Sequence, residues 1–246
     1  MAARMIRRGY DPDDPICFGG AQLALLQQAH EELRYLLDRG YQPGPAAVLI
    51  GNHYQLTARQ RHALLRSTAT HEQCQHRAQT QLIRPPTTQP LLIDGFNLII
   101  TLETALSDSL LLRGDDRVLR DLASLRGSYR IISKTAPAIS LIGAALQELD
   151  VTQAVFYLDS PVSNSGKLRQ LILNLAAEWD LSVSCELAVN PDAVLYGQQA
   201  AVSGDALILD RCQSWFNLTT WIVSQKIPDA WIIDLSSVKK LTEHDL

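Results

Sequence analysis

Short apolar stretches alternate with longer amphipathic stretches beyond Pro90, and this alternation restricts the fold more than any other feature. The apolar stretches have strand length and are bounded by Gly, Pro, Asn or Asp, whereas the stretches between them repeat apolar residues at helical spacing. Such an alternation is typical of a parallel sheet covered by helices, because each helix returns the chain to the start of the next strand. The sequence therefore predicts a Rossmann-like, three-layer α/β fold.

The individual elements of this α/β part can be predicted one by one. The predicted strands are QPLLIDGF, QAVFYLD, LSVSCELAV, DALILD and AWIIDLS. The predicted helices are DDRVLRDLASLRG, PAISLIGAALQEL, GKLRQLILNLAAEWD, PDAVLYGQQAAV and FNLTTWIVSQ. The first of these helices depends on an apolar stripe formed by Val118, Leu119, Leu122 and Leu125. Asp115 and Asp116 are expected to form its N-terminal cap and first turn.

The chain before Pro90 is expected to form a small all-α domain. Apolar residues recur at helical spacing in AQLALLQQAHEELRYLLDRGY, a second helix is expected near Pro45, and Thr57 is the predicted N-cap of a third over QLTARQRHALLRSTATHEQCQ. The segment RPPTTQP then disfavours helix and leaves an extended linker. The predicted organisation is a helical domain at 1–84, a linker at 85–90 and an α/β domain at 91–246.

Charge is distributed unevenly between these two parts. Ten arginines, no lysine and seven acidic residues lie up to Pro90, whereas twelve basic and nineteen acidic residues follow it, for a net charge of −4. This difference predicts separate roles for the two parts. Arg59, Arg61 and Arg66 are candidates for a phosphate-contacting surface that binds nucleic acid, and a solvated helix face is the alternative.

The sequence gives little support to a membrane protein, a secreted protein or a zinc-binding protein. No apolar stretch reaches the roughly 18 residues that span a bilayer, and the start MAARMIRRGYDPDDP lacks an apolar signal region. We therefore expect a cytoplasmic protein without a membrane partner, and the sequence leaves a homodimer open. His62, His71, Cys74 and His76 have spacing similar to that of a zinc site, but no second matching pair accompanies them, so surface or packing roles are the alternative.

Four aspartates stand where predicted strands end or where turns begin helices. Asp94 and Asp159 follow apolar strands, Asp192 in NPDAVL opens a predicted helix, and Asp205 follows the SG turn of AVSGDALILD. The carboxyl ends of parallel strands meet at one edge of a sheet, where ligands bind. Carboxylates gathered there repel one another and favour a bound cation, and oxygen ligands favour Mg²⁺ or Mn²⁺. Alternatively, Asp192 caps a helix and Asp205 is a turn residue.

Two further groups of residues are candidates for contacting a substrate. The stretch SPVSNSGK places Ser163, Ser165 and Lys167 at the start of a predicted helix, where backbone N–H groups and the helix dipole favour a phosphate. Asn97, three residues after Asp94, can orient a water molecule or a phosphate oxygen. The stretch lacks P-loop spacing, and a solvated Lys167 is the alternative.

The order of these motifs resembles that of the PIN-like nucleases, in particular the NYN-type branch with its IDGxN opening. The matching strings are IDGFN, the strand ending in Asp159, NPDAVL and SGDALIL, and the resemblance extends from Leu91 to Ser236. It implies a PIN-like fold and metal-dependent hydrolysis of nucleic acid, with RNA as the expected substrate. The metal-binding and catalytic acids that it implies are Asp94, Asp159, Asp192 and Asp205, with Asn97 as a polar companion.

The amino-terminal strings EELRYLLDRGY and GNHYQLTARQRHALLR resemble a small uncharacterised domain that is fused to such PIN-like units. This second resemblance implies no activity.

Hydrolysis of a phosphodiester needs a nucleophilic water and stabilisation of charge at the attacked phosphate, and Mg²⁺ or Mn²⁺ can supply both.

A haloacid-dehalogenase-like phosphatase needs a second Asp two positions after the first, where this chain has Phe96. A catalytically inactive PIN-like module that binds RNA or another partner stays open. Many PIN domains carry a Glu on the helix after the first strand; here only Glu103 is of that type, and otherwise Asp115 or Asp116 has to substitute.

Overall fold

A computed structural model describes residues 6–123 and 127–235 of the protein. Five helices come first: α1 (Asp14–Cys17), α2 (Gly20–Leu37), α3 (Pro43–His53), α4 (Ala58–Ser67) and α5 (His71–Thr80). They are followed by β1 (Leu91–Asp94), α6 (Gly95–Ala105), β2 (Leu111–Arg113), β3 (Leu119–Asp121), α7 (Thr135–Glu148), β4 (Gln153–Asp159), α8 (Ser165–Ala176), β5 (Ser182–Ala188), α9 (Pro191–Leu195), β6 (Ala201–Val202), α10 (Ala206–Arg211), α11 (Leu218–Lys226) and β7 (Ile232–Asp234). Within these described residues, no helix is long and apolar enough to cross a membrane.

The first sheet has four parallel strands in the order β5-β4-β1-β6. From β1 the chain moves outward to β4 and β5, and it then returns to place β6 on the other side of β1. This reversal of direction at β1 leaves a crevice at the carboxyl edge of the sheet, where open α/β sheets bind ligands.

Helices cover both faces of this sheet, which confirms the predicted α/β architecture. Leu91 and Ile93 of β1 belong to the largest buried cluster, to which α6, α7, α8 and α11 contribute. Leu92 points the other way and packs against a smaller cluster that includes Leu195 of α9 and Ile208 of α10. Because successive side chains of a strand alternate between faces, these contacts place helices on opposite sides of the sheet.

The second sheet has three strands in the order β3-β2-β7, and it shares a core with the amino-terminal helices. Strands β2 and β3 are antiparallel, whereas β2 and β7 are parallel. Leu112 of β2 and Ile233 of β7 are buried in the same cluster as Leu33 of α2 and Leu64 of α4. The limits of two separate domains at 84 and 91 stay a prediction, but the two parts are continuous in this core.

The predicted helix over DDRVLRDLASLRG is wrong for the described residues, because Leu119–Asp121 form strand β3. The N–H of Gly114 donates to the carbonyl of Val118 at 3.0 Å, and Arg117 adopts a positive φ of 65°. These features form a tight turn that joins β2 to β3, so Asp115 and Asp116 lie in a turn rather than at a helix start. Leu125 of the expected stripe lies outside the described residues.

Three other predicted elements differ from the structure. The helix over PDAVLYGQQAAV ends at Leu195 and is followed by strand β6. The other two differ because a side chain caps a helix. The stretch DALILD forms α10 rather than a strand, since the carboxylate of Asp205 accepts the N–H groups of Leu207 and Ile208. The third predicted helix is two helices. Thr57 caps α4 as expected, and Thr70 caps α5 with a second capping box.

Candidate active site

A cavity of about 340 Å³ brings together all four predicted aspartates and Asn97. Strands β1, β4 and β6 end beside it, and α9, which follows β5, adds the fourth acid. The predicted residues in its lining are Asp94, Asn97, Asp159, Asp192 and Asp205. Residues that were not predicted for this site complete the lining: His62, Arg66, Phe96, Ile100, Asp121 and Ala123.

Asp94 is the most deeply buried of the four predicted aspartates. It ends β1 and caps α6, and its Oδ1 accepts the N–H of Asn97 at 3.3 Å. Its Oδ2 accepts a hydrogen bond of 2.8 Å from the hydroxyl of Ser203, which follows β6. Only 7% of the residue is exposed. Helix α6, which the sequence did not predict, therefore begins at the buried carboxylate.

Three of these aspartates, Asp94, Asp159 and Asp192, have a raised pKa. Burial is the main cause that raises the pKa of Asp94 to about 7, and the neighbouring carboxylates of Asp192 and Asp205 add to it. The hydrogen bonds from Ser203 and Asn97 oppose this increase. Burial also raises the pKa of Asp159, and burial together with Asp205 and Asp159 raises that of Asp192. A site of this kind is stabilised by a cation.

The loop that carries Asp205 is held close to α6 by short polar contacts. The N–H of Gly204 donates to Asn97 Oδ1 at 2.7 Å, and the N–H of Asp205 donates to Ser203 Oγ at 3.0 Å. A Cβ at Gly204 would lie 3.0 Å from Asn97 Oδ1, which is tighter than an ordinary contact. Asn97 therefore fixes the loop after β6 as well as lining the cavity.

Asp121 is a fifth aspartate of the cavity, and sequence reasoning missed it. It ends β3, is 4% exposed, and accepts hydrogen bonds of 2.8 Å from the Thr101 hydroxyl and the Ala123 N–H. Asp121 follows Arg120 rather than an apolar residue, so the signal that pointed to Asp94 is absent here. The surrounding residues were in addition assigned to a helix.

A buried network of charges supports the Asp205 loop from behind. Arg120 donates through Nε to the carbonyl of Gly204 at 2.7 Å and forms two hydrogen bonds with Asp116. Arg77 of α5 contacts Asp116 at 2.6 Å and Asp210 of α10 at 2.7 Å. Burial alone would raise the pKa of Asp116, but Arg120 and Arg77 outweigh it and lower the pKa to about 2. The ionised network thus connects the amino-terminal helices to the cavity.

Helix α4 contributes His62 and Arg66 to the cavity, on one face of the helix because they are four residues apart. Neither side chain forms a hydrogen bond or an ion pair within the described part of the chain, and the Nε atom of Arg66 is buried without a partner. Burial and the charge of Arg66 lower the pKa of His62. A basic side chain without an ion pair therefore faces a cavity lined by five carboxylates.

The predicted substrate residues of the α8 start are not brought to this cavity. The hydroxyl of Ser163 accepts from the Tyr129 N–H at 3.1 Å and donates to the Tyr129 carbonyl at 3.3 Å. Ser165 is buried and donates to the carbonyl of Ser160 at 3.5 Å, whereas Lys167 is exposed. Their contact with a phosphate stays a prediction, and among the described residues none of the three lines the cavity of the aspartates.

Glu103 and Asp115 also lie outside the lining of the cavity. Glu103 is fully buried, pairs with Arg8 at 2.7 Å and accepts hydrogen bonds from the hydroxyls of Tyr129 and Thr135. Asp115 accepts the N–H of Ala69 at 3.1 Å and lies 3.2 Å from His30. Both carboxylates therefore have structural partners, and Asp121 is the additional acid that the fold supplies.

Over residues 6–123 and 127–235, no three His, Cys, Asp or Glu side chains are already close enough to hold one metal ion. Within these residues, the histidine and cysteine residues with zinc-like spacing are not gathered into such a group. For the aspartates of the cavity, the same finding means that binding an ion requires the carboxylates to move closer together.

The fold and the cavity define an α/β protein with an acidic crevice at the carboxyl edge of its parallel sheet. Residues 86–221 match the model of the family described as Domain of unknown function (DUF5616), and residues 25–79 match Protein of unknown function (DUF434). Because the first match covers more than half of the chain, the protein belongs to the DUF5616 family. Arg77 and Asp116, which are in contact, thus lie in different matched regions.

A similar protein is Uncharacterized protein MJ0935 of Methanocaldococcus jannaschii, which is 28% identical over 185 residues. The alignment covers 75% of this chain and 88% of the relative, so the similarity includes both the helical and the α/β part. No solved structure matches the chain. The resemblance to PIN-like nucleases stays a prediction.

Proposed function

We propose that this protein is a cytoplasmic, divalent-metal-dependent nuclease with a PIN-like α/β domain, and that it hydrolyses phosphodiester bonds of RNA. The observation that carries the proposal is the cavity at the end of β1, where Asp94, Asp159, Asp192 and Asp205 meet as the motif order predicted. Asp121 extends this set to five carboxylates.

The donor set suits a hard divalent cation. It consists of carboxylate oxygens, which Mg²⁺ and Mn²⁺ prefer, and the raised pKa of Asp94 reflects burial and repulsion that a cation relieves. Asp94, Asp159 and Asp205 are the proposed direct ligands, and Asp192 binds directly or through water. When bound, such an ion makes a water nucleophilic at neutral pH and stabilises charge on the attacked phosphate.

The residues around the acids have distinct roles in this proposal. Ser203 and the N–H of Asn97 fix both oxygens of Asp94, so the carboxylate stays in one orientation. The Oδ1 of Asn97 is used by Gly204, whereas its Nδ2 makes no hydrogen bond within the described residues. That amide N–H is therefore free to donate to a water molecule or to a phosphate oxygen.

A second candidate function is a PIN-like module that binds RNA, or another partner, without cleaving it. Two observations favour it. Within the described residues the carboxylates are not yet close enough to hold an ion, and Glu103 is occupied by Arg8, Tyr129 and Thr135. The two functions differ in one measurable property, which is turnover of RNA in the presence of the ion.

The deciding experiment follows the cleavage of labelled single-stranded RNA with Mn²⁺, with and without EDTA. We expect cleavage that EDTA abolishes, and loss of at least about 100-fold in rate for Asp94→Asn and Asp205→Asn, because each removes one ligand charge. Asp180→Asn is the matched control, since Asp180 is exposed and has no partner among the described residues. Binding without cleavage by the parent protein would favour the second function, and equal rates for all variants would place the active site elsewhere.

A further inference from the structure

Helix α4 brings one arginine, Arg66, to the wall of the acidic cavity from a part of the chain that precedes the linker. Its side chain lines the cavity of the aspartates and also a neighbouring cavity of about 200 Å³, which Arg77, Arg120 and Asp205 line as well. Arg66 therefore stands at the border between the metal-binding acids and a second concave space.

Arg66 differs from the other two arginines of that second cavity in having no partner. Arg77 and Arg120 are committed to Asp116, Asp210 and backbone carbonyls. Arg66 forms no ion pair or hydrogen bond in the part of the chain that the structure describes, although five carboxylates line the same cavity. Its Nε lies buried without an acceptor.

A half-buried guanidinium without an acceptor suits an anionic ligand that reaches the cavity from solvent. Two N–H groups of a guanidinium can donate to two oxygens of one phosphate. These hydrogen bonds are stronger where water is excluded. If Arg66 served only to balance the negative charge of the aspartates, it would be expected to pair with one of them. Within the described residues it pairs with none.

We propose that Arg66 binds a backbone phosphate of a single-stranded RNA whose adjacent phosphodiester lies against the aspartates, with His62 lining the path of the strand. The proposal rests on the proposed function for the identity of the ligand. It gives the amino-terminal helical part a role in substrate binding inside the active site rather than on a separate surface. Arg66 contacts substrate, and the aspartates contact the metal ion.

The test measures the affinity of fluorescein-labelled single-stranded RNA by anisotropy, with Ca²⁺ in place of Mn²⁺ and at about 50 mM and about 200 mM salt. For Arg66→Ala we expect a loss of roughly tenfold or more in affinity and a smaller salt dependence, with a slope lower by about 0.7. Arg66→Lys should keep the salt dependence of the parent but bind RNA more weakly. Lysine keeps the positive charge but lacks the paired N–H groups of a guanidinium. Arg39→Ala is the matched control, since Arg39 is exposed and stacks on Tyr35 away from the cavity.

The possible results separate the phosphate site at Arg66 from the proposed nuclease activity. Parent-like affinity and slope in Arg66→Ala would overturn the proposal, even if Mn²⁺-dependent cleavage by the parent upholds the nuclease. Weaker binding in a protein that never cleaves would uphold the phosphate site and reject the nuclease. Absence of RNA binding by the parent would overturn both. If circular dichroism shows Arg66→Ala to be unfolded, Arg66→Lys decides, because parent-like affinity in it would contradict the bidentate contact.

Discussion

Ser203 donates a hydrogen bond of 2.8 Å to Asp94, and this contact joins the end of β1 to the loop after β6. The same hydroxyl oxygen accepts the N–H of Asp205 at 3.0 Å. One serine therefore positions two of the proposed metal ligands relative to each other, across more than a hundred residues of sequence.

Removing this hydroxyl should weaken metal binding without removing a ligand. We expect Ser203→Ala to lower Mn²⁺ affinity about tenfold, because groups that orient metal ligands typically contribute 10–100-fold. Isothermal titration calorimetry measures this change. Ser224→Ala is a suitable control, since Ser224 lies on α11 and bonds to the carbonyl of Trp221. An unchanged affinity in Ser203→Ala would mean that Asp94 and Asp205 are not joint ligands.

Asp94 should make the metal-free protein less stable as the pH rises. Its folded-state pKa of about 7 lies above the ordinary 3.8, so the folded state binds more protons than the unfolded state between these values. Stability therefore falls as the pH rises through this window. We expect Asp94→Asn to raise the free energy of unfolding at pH 8 by up to about 4 kcal/mol, and to have little effect near pH 4.

Thermal unfolding in EDTA at both pH values checks this expectation, with Asp180→Asn as the control. A shift of equal size at pH 4 and pH 8 would contradict it, because the charge of Asp94 would then not be its source.

The strands that end in Asp94 and Asp159 could be predicted because each leaves a local pattern. The strand that ends in Asp94 and the strand that ends in Asp159 are apolar or alternating runs that turn abruptly polar. Strand β6 could not be predicted, since Ala201–Val202 fall within the predicted helix PDAVLYGQQAAV. Strand β3 has three residues, too few to show a period, and the spacing of Val118, Leu119 and Leu122 also fits a helix. That ambiguity concealed Asp121.

The contributions of Arg66 and His62 could not be predicted from sequence, for a physical reason. Which face of α4 lines the cavity depends on packing between helices and a sheet that are distant in the chain. The charge pattern indicated a solvated face or a surface for nucleic acid, and only the fold places these residues beside Asp94.

The buried pair of Arg77 and Asp116 should be important for stability. We expect Arg77→Met to lower the free energy of unfolding by about 3 kcal/mol, because it leaves Asp116 with one arginine and Asp210 with none. For a protein of this size, that loss lowers Tm by roughly 6–12 °C. The double variant Arg77→Met with Asp116→Asn should lose less free energy of unfolding than the two single variants lose together. Equal losses would show that the pair is not coupled.

The helical part and the α/β part should unfold together. Leu33 of α2 and Leu112 of β2 are fully buried in one cluster, so Leu33→Ala and Leu112→Ala should each destabilise the whole protein by about 2–5 kcal/mol. Scanning calorimetry should show one transition that both variants shift. Two transitions, with each variant shifting a different one, would show that the parts are independent.

The most direct measurement of the central claim is the anomalous scattering of crystals soaked in Mn²⁺. We expect a peak in the cavity of the aspartates, at roughly 2.0–2.2 Å from an oxygen of Asp94 and within reach of Asp205, and loss of that peak in Asp94→Asn. An empty cavity at saturating Mn²⁺, or a peak bound only by other residues, would contradict the account.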